Sequence, residues 1–296
     1  MSHRCNTAWP APWPALRYLA RTTRHRSHPM KPLLPALAVA LSTCTAAAQA
    51  QPAPRSPWGV GVAAVVSDSP YAGEGARVIP VPVLSYESPR LYVRGLTAGW
   101  RIGQDLPVTV ELLANVRLDG IDADDLGRRE LAANGVQRDL LTDREHGLDL
   151  GAGLTWRGNA GEVQLQLLGD VSGRSRGQEA SLQYGYPLRL GRTLVTPLLG
   201  ARWHSSQLAN YYYGTLPEEV ARGVVDYRPG ASVLPQAGVS VFHPLGRHWS
   251  LVGSVRHTRL PDTYRNSPLV ERGSSGTTSA FIGLTRGFQP WWLPRD

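Results

Sequence analysis

Beyond residue 44 this chain has no cysteine. Cys5 and Cys44 are the only two in 296 residues, and both precede the small-x-small site "AQA" at Ala48-Gln49-Ala50. A chain that starts at Gln51 can be neither a disulfide scaffold nor a cysteine-ligated zinc protein. Long apolar runs are missing too. After residue 57 none approaches the roughly eighteen residues that a membrane helix needs. Helical periodicity is scarce. There is no Gly-rich phosphate loop ahead of a helix and no nucleophile elbow of the hydrolase type. A true basic excess is also absent, although the formal charge is +8. Arg4, Arg17, Arg21, Arg24, Arg26 and Lys31 lie in the first fifty residues, which hold no acid, leaving 25 basic against 23 acidic residues in the remainder. A nearly neutral body has no electrostatic footprint for phosphates, so no nucleic-acid partner is expected.

The first fifty residues read as targeting sequence. Met30-Lys31 opens a short basic region, Leu33 to Thr45 is apolar, and "AQA" follows as a cleavage site. Residues 30–50 are thus expected to be a Sec signal peptide, with 1–29 an upstream extension and 51–57 a short periplasmic lead-in. "LSTC", ending at Cys44, resembles a lipoprotein box. Thr43 fits it poorly, and "AQA" is the preferred site.

What is present is alternation with period two, in segments of about ten residues. In 108–118 the even positions are Val108, Val110, Leu112, Ala114, Val116 and Leu118, and the odd ones include Thr109, Glu111, Asn115 and Arg117. In 146–157 Leu148, Leu150, Ala152, Leu154 and Trp156 alternate with Gly, Asp149, Thr155 and Arg157. One face is apolar and the other holds charge, amide and glycine. In an exported chain this predicts an all-β, antiparallel outer-membrane barrel over residues 58–288. Closure removes the edges that lipid cannot satisfy.

Candidate strands are 58–67, 77–87, 91–102, 107–118, 145–157, 161–171, 178–190, 193–206, 232–243, 249–260 and 277–288. Eleven is odd, and bacterial barrels use even numbers. Twelve is the expected count, with the extra strand placed within 127–143; ten is the alternative. "RGNAGE", "GRT" and "PLGRH" read as periplasmic turns. Segments 119–144, 207–231 and 261–276 read as extracellular loops. Residues 289–296 form a C-terminal tail, in which Trp291 and Trp292 are candidates for an interfacial anchor.

The densest chemistry is "RWHSSQLANYYYG" at 202–214. Parity on strand 193–206 sends Trp203 to lipid and His204 and Ser206 to the lumen. A His-x-Ser pair resembles the lipid A deacylase family of small barrels, in which the pair faces outward. A hydrolase also needs an orienting acid, for which Asp170 and Asp226 are the candidates. The bland alternative is a polar pair near the rim. Asp119, Asp122, Asp124 and Asp125 are spaced to hold calcium but lack an EF-hand pattern. A solvated loop, or pairing with Arg128 and Arg129, is the simpler reading. His243, His248 and His257 show no metal spacing, so neither a metal nor a cofactor is expected. Arg117, Arg157, Arg202 and Arg256 are lumen cations that either tune a pore or pair with Glu111, Asp149 and Asp170.

Several blocks are similar to the MipA/OmpV family of MltA-interacting outer-membrane proteins. They are "SPYAGEGARVIPVPVLSYES" at 69–88, "LYVRG" at 91–95, "DLGRREL" at 125–131, "GDVSGRSRGQ" at 169–178, the block 202–232 with its "NYYYG…EE…YRPG" core, and "SPLVERG" at 267–273. The resemblance covers about 58–288. It implies a non-enzymatic barrel in the outer membrane of a Gram-negative bacterium, surrounded by outer-membrane lipid. It also implies a scaffold that links a lytic transglycosylase to a penicillin-binding protein. Tyr71, Gly73, Tyr211, Tyr212, Tyr213, Gly214, Tyr227 and Gly230 match the family motifs and are implied to be structural. A porin-like channel for small solutes is the alternative. Esterase action on lipid A or phospholipid through His204 and Ser206 is the third reading.

Overall fold

The computed structural model describes residues 57–103 and 107–288. The expected tail with Trp291 and Trp292, and the expected leader, lie outside them. Thirteen strand segments form one sheet. They are β1 (Trp58–Asp68), β2 (Ala76–Glu87), β3 (Leu91–Arg94), β4 (Thr97–Gly103), β5 (Val108–Arg117), β6 (Gly147–Gly158), β7 (Gly161–Asp170), β8 (Gln178–Gly185), β9 (Leu188–Leu190), β10 (Thr193–His204), β11 (Ser232–Leu245), β12 (Trp249–Arg259) and β13 (Gly276–Phe288). Each pairs antiparallel with its sequence neighbour, except that β8 and β9 both pair with β10. β13 returns to β1 and closes the barrel, from Trp58↔Phe288 to Ser67↔Ser279. β8 and β9 are one barrel strand interrupted at Tyr186-Pro187, where proline cannot donate to the ladder. The barrel therefore has twelve strands.

The twelfth strand does not come from 127–143. That segment holds α1 (Arg128–Ala133) and a 3-10 turn, Arg138–Leu140. It comes instead from 91–102, which turns back at Gly95-Leu96 into the β3–β4 hairpin, Arg94↔Thr97. The two arms alternate in opposite phase, with Leu91 outward and Tyr92 inward before the turn and Thr97 inward and Trp100 and Ile102 outward after it, so a one-residue slip in the period is all that marks the reversal. The second correction is at β10, which ends at His204 rather than at residue 206.

Side-chain parity follows the sequence pattern. Val62, Val78, Leu112, Leu167, Leu199 and Ile282 point outward and are more than half exposed. An apolar band of this extent is stable only against lipid. Glu111, Arg117, Asp149, Thr155, Gln164 and Thr196 point inward and are buried. Both chain ends of the barrel lie at one end with the short turns, except that the Gly95-Leu96 turn of the β3–β4 hairpin points the other way, part-way along the wall. The long loops lie at the other, where they carry two apolar cores of their own. One gathers Tyr71, Ala72, Ile121, Leu126, Leu131 and Leu269. The other gathers Ala209, Leu234, Leu260, Tyr264 and Val270. The loops therefore fold as a packed cap.

Candidate functional site

The cap is assembled by the tyrosine triplet. Ser205 caps α2 (Ser206–Tyr213), its hydroxyl accepting from Leu208 N–H. One helical turn then sends three successive tyrosines in three directions. Tyr213 stacks on Tyr71 at 5.6 Å between ring centroids and on Tyr264 at 3.8 Å. Tyr264 lies on α4 (Asp262–Arg265). Three separate loops thus meet in one aromatic column. The Tyr211 hydroxyl accepts from Glu145 N–H at 2.9 Å, and the Tyr212 hydroxyl donates to Glu145 O at 3.2 Å. Tyr71 donates to Tyr212 O at 3.3 Å. Burial pushes the hydroxyls of Tyr71, Tyr212, Tyr213 and Tyr264 above the usual phenol range. They remain neutral donors at any pH the cell meets.

The remaining motif residues shape the same cap. Gly73 and Gly230 have φ of 72° and 71°, a region that disfavours side chains. A Cβ on Gly73 would also lie 2.5 Å from Gly127 Cα. Gly230 N–H donates to Asn210 Oδ1 at 3.0 Å. At Gly214 the constraint is space, since a Cβ would sit 2.6 Å from Asn210 O. Tyr227 donates to Thr263 O at 2.7 Å, tying loop 205–231 to loop 260–275.

Below the aromatic column lies a charged network at the mouth of the lumen. Tyr264 Oη is 2.9 Å from His204 Nδ1. His204 Nε2 faces Glu179 Oε2 at 3.5 Å. Glu179 accepts from Arg117 at 2.9 Å, and Arg117 also donates to Asp149 at 2.7 Å and to Asp119 at 3.1 Å. Glu179 and His204 are directly opposite each other across β8 and β10. The acid beside His204 is therefore Glu179, not Asp170 or Asp226. Asp170 instead accepts from the backbone of Ser172, Ser175 and Arg176. Asp226 pairs with Arg228. Ser206 has left the strand, is exposed, and donates to Gln207 at 3.2 Å. His204 presents its two ring nitrogens to Tyr264 and Glu179, so the fold does not bring it together with Ser206.

The other candidates disperse. Asp119 turns to Arg117, Asp124 pairs with Arg138 at 3.5 Å, and Arg128 takes Asp139 at 2.7 Å. Among the described residues no group of three His, Cys, Asp or Glu converges as metal ligands would. Arg157 pairs with Glu162 at 2.7 Å, Glu111 accepts from Tyr92 at 3.0 Å, and Arg256 reaches Gln183 at 3.1 Å. His243 Nδ1 meets Thr193, and His257 Nδ1 meets Thr278.

The sequence reading missed Arg144 and Glu219. Glu219 lies on α3 (Pro217–Ala221). It accepts from Arg144 at 2.6 and 2.9 Å and from Thr142 and Leu216 N–H at 2.8 and 2.7 Å. Arg144 also donates to Tyr211 O, Gly214 O and Thr142 O. No periodicity marks such a pair, because Arg144 sits in irregular chain and Glu219 on a helix of only five residues. The network forms a closed lid over a polar lumen, in which His204 Nε2 is buried and faces Glu179 without a hydrogen bond.

A family model described as "MltA-interacting protein MipA" matches residues 60–288. The chain is 29% identical over 254 residues to the MltA-interacting protein of Escherichia coli (strain K12), covering 86% of this chain and 97% of that protein. It is 27% identical over 224 residues to the outer membrane protein YiaT of the same organism, covering 74% of this chain and 86% of that protein. Among solved structures, the NanC porin aligns with 8% identity and a TM-score of 0.44, over 77% of this chain and 100% of that chain.

Proposed function

The chain belongs to the MltA-interacting protein MipA family, and from that membership and its lidded mouth we propose that it is a non-enzymatic scaffold for peptidoglycan-remodelling enzymes. It is an outer-membrane β-barrel of a Gram-negative bacterium. The observation that carries the scaffold reading is the packed cap. A hydrophobic core and a buried ion pair are a costly way to build a mouth that must pass solutes freely. They suit a barrel whose work is done at its other end.

By the asymmetry of such barrels the short turns face the periplasm. A partner would therefore meet the turns near Pro89, Asn159, Arg192 and Arg247. A relative bears the name MltA-interacting protein, which supports a lytic transglycosylase as one partner. A penicillin-binding protein is the second partner of the proposal. The test is retention of purified transglycosylase and penicillin-binding protein on the immobilised, folded barrel. We expect retention, and its loss when the turns at 158–161 and 246–248 are exchanged for unrelated turns. No retention of any murein hydrolase or synthase sinks the reading.

The polar lumen wall favours a second reading, a conduit for small solutes. Planar-bilayer recordings without conductance steps reject it.

A further inference from the structure

β2 is paired along its whole length on one side and almost bare on the other. Its ladder with β1 runs unbroken from Trp58↔Tyr86 to Asp68↔Ala76. Its ladder with β3 covers only Ser85, Tyr86 and Glu87, extended by Gly95 N–H to Leu84 O at 3.3 Å. Residues 76–83 have no strand partner, among the described residues, on the side away from β1.

Backbone groups alternate in direction along a strand, and two bonds set the phase here. Glu87 N–H donates to Pro57 O at 2.7 Å, on the β1 side. Leu84 O accepts on the β3 side. Ala76, Val78, Pro80 and Pro82 therefore point towards the bare side. Prolines occupy two of these four positions, so two of the four N–H donors do not exist. Proline belongs on an edge that has no ladder partner. The "IPVPV" stretch is thus built for an unpaired edge.

The bare edge is one side of a bounded opening in the wall. The β3–β4 turn closes it below, where Val116 N–H donates to Leu96 O at 3.1 Å. The cap closes it above, where Gly127 N–H donates to Ala72 O at 2.9 Å. Side chains fill the opening in place of hydrogen bonds. Val81 and Leu118 are buried in one apolar cluster with Val65 and Phe281, and Val83 and Leu96 pack against it. The lumen is therefore two-faced. Its wall is apolar behind the opening and polar across it, at Gln164, Gln166 and Gln183.

We propose that this seam is a lateral doorway through which an acyl chain of an outer-leaflet lipid enters the barrel and lies against the Val81–Leu118–Phe281 cluster. The chemistry of the edge selects that occupant. An added strand needs a run of donors and acceptors, and the prolines remove donors in succession. A polar solute would meet valine and leucine on both sides of the gap. An acyl chain needs no hydrogen bond and is the solvent at this depth.

The test uses the absence of cysteine beyond residue 44. Single variants Val83→Cys and Leu96→Cys carry a small bimane fluorophore at two places in the seam. Val78→Cys is the lipid-facing control and Gln166→Cys the polar-wall control. Each full barrel, checked for folding by heat-modifiable migration, is reconstituted in phosphatidylcholine vesicles with or without brominated acyl chains. We expect brominated chains to quench the seam labels as strongly as the Val78→Cys label, while the Gln166→Cys label keeps its fluorescence. Seam labels as bright as Gln166→Cys in brominated lipid overturn the doorway. Seam labels quenched by aqueous iodide rather than by bromine overturn it as well, because the gap is then wet.

Discussion

Arg144 and Glu219 form a two-pronged ion pair, 2.6 and 2.9 Å long, that is closed off from water, with side-chain exposures of 3% and 0%. It joins the loop that follows β5 to the loop that follows β10. Every remaining donor and acceptor finds backbone, so the two charges are held by hydrogen bonds as well as by each other.

Removing one partner leaves the other buried and unpaired, which typically costs about 3–5 kcal/mol. Arg144→Met is expected to loosen the cap while the barrel persists. Limited proteolysis should cleave 205–231 much faster than in wild type, with heat-modifiable migration retained. Unchanged cleavage would show that the cap does not depend on this pair.

Tyr213 is the shared member of two stacks, so its removal separates Tyr71 from Tyr264. A large-to-small change costs about 3–5 kcal/mol at a fully buried aromatic, and less at Tyr213, which is half-buried. Tyr213→Ala should raise amide exchange in 69–75 and 260–275 together. Tyr213→Phe keeps the ring and should change exchange little. Exchange rising in only one of the two loops would refute the column as a common support.

His146 sits where loop 118–146 meets β6, and its Nδ1 accepts from Gly120 N–H at 3.2 Å. Burial lowers its pKa below the usual 6.5, against an opposing pull from Asp119. A folded-state pKa below the unfolded one favours the neutral ring. That contribution is whole above the unfolded pKa and fades as pH falls through the folded one. Loop cleavage should therefore rise between pH 7 and pH 5. The pH dependence, whatever the baseline, should shrink in His146→Ala. An identical pH profile in the variant would remove His146 as its source.

Pro80 and Pro82 keep the bare edge of β2 from pairing. Pro80→Val with Pro82→Val restores both donors on an edge that faces lipid, where an unmet backbone group is expensive. The double variant should show more dimer than wild type when crosslinked in vesicles. Equal dimer content would mean that the edge is already protected by its packed side chains.

The face of nearly every strand residue was legible in the chain itself. A pleated strand alternates its side chains, so the apolar set Leu112, Leu148, Leu199 and Ile282 had to share the lipid side. Parity likewise sends Trp203 outward and His204 inward, and sends Glu179 inward on its own strand. The hairpin in 91–102 is marked in the chain only by a phase slip at Gly95-Leu96, where the outward residues change from odd (Leu91) to even (Trp100, Ile102), a signal that a bulge within one strand would also give.

Register and loop packing belonged to the tertiary structure alone. Glu179 stands opposite His204 because β8 and β10 pair in one register out of several that the alternation allows. A shift of two residues keeps every side chain on its face yet gives His204 a different neighbour. Arg144 meets Glu219, and Tyr213 meets Tyr71 and Tyr264, through loops without periodicity. Their contacts follow from the three-dimensional course of the chain, which no local pattern records. The local pattern thus determined a membrane barrel and its two faces, while long-range pairing decided that its mouth is lidded and that its wall has a seam.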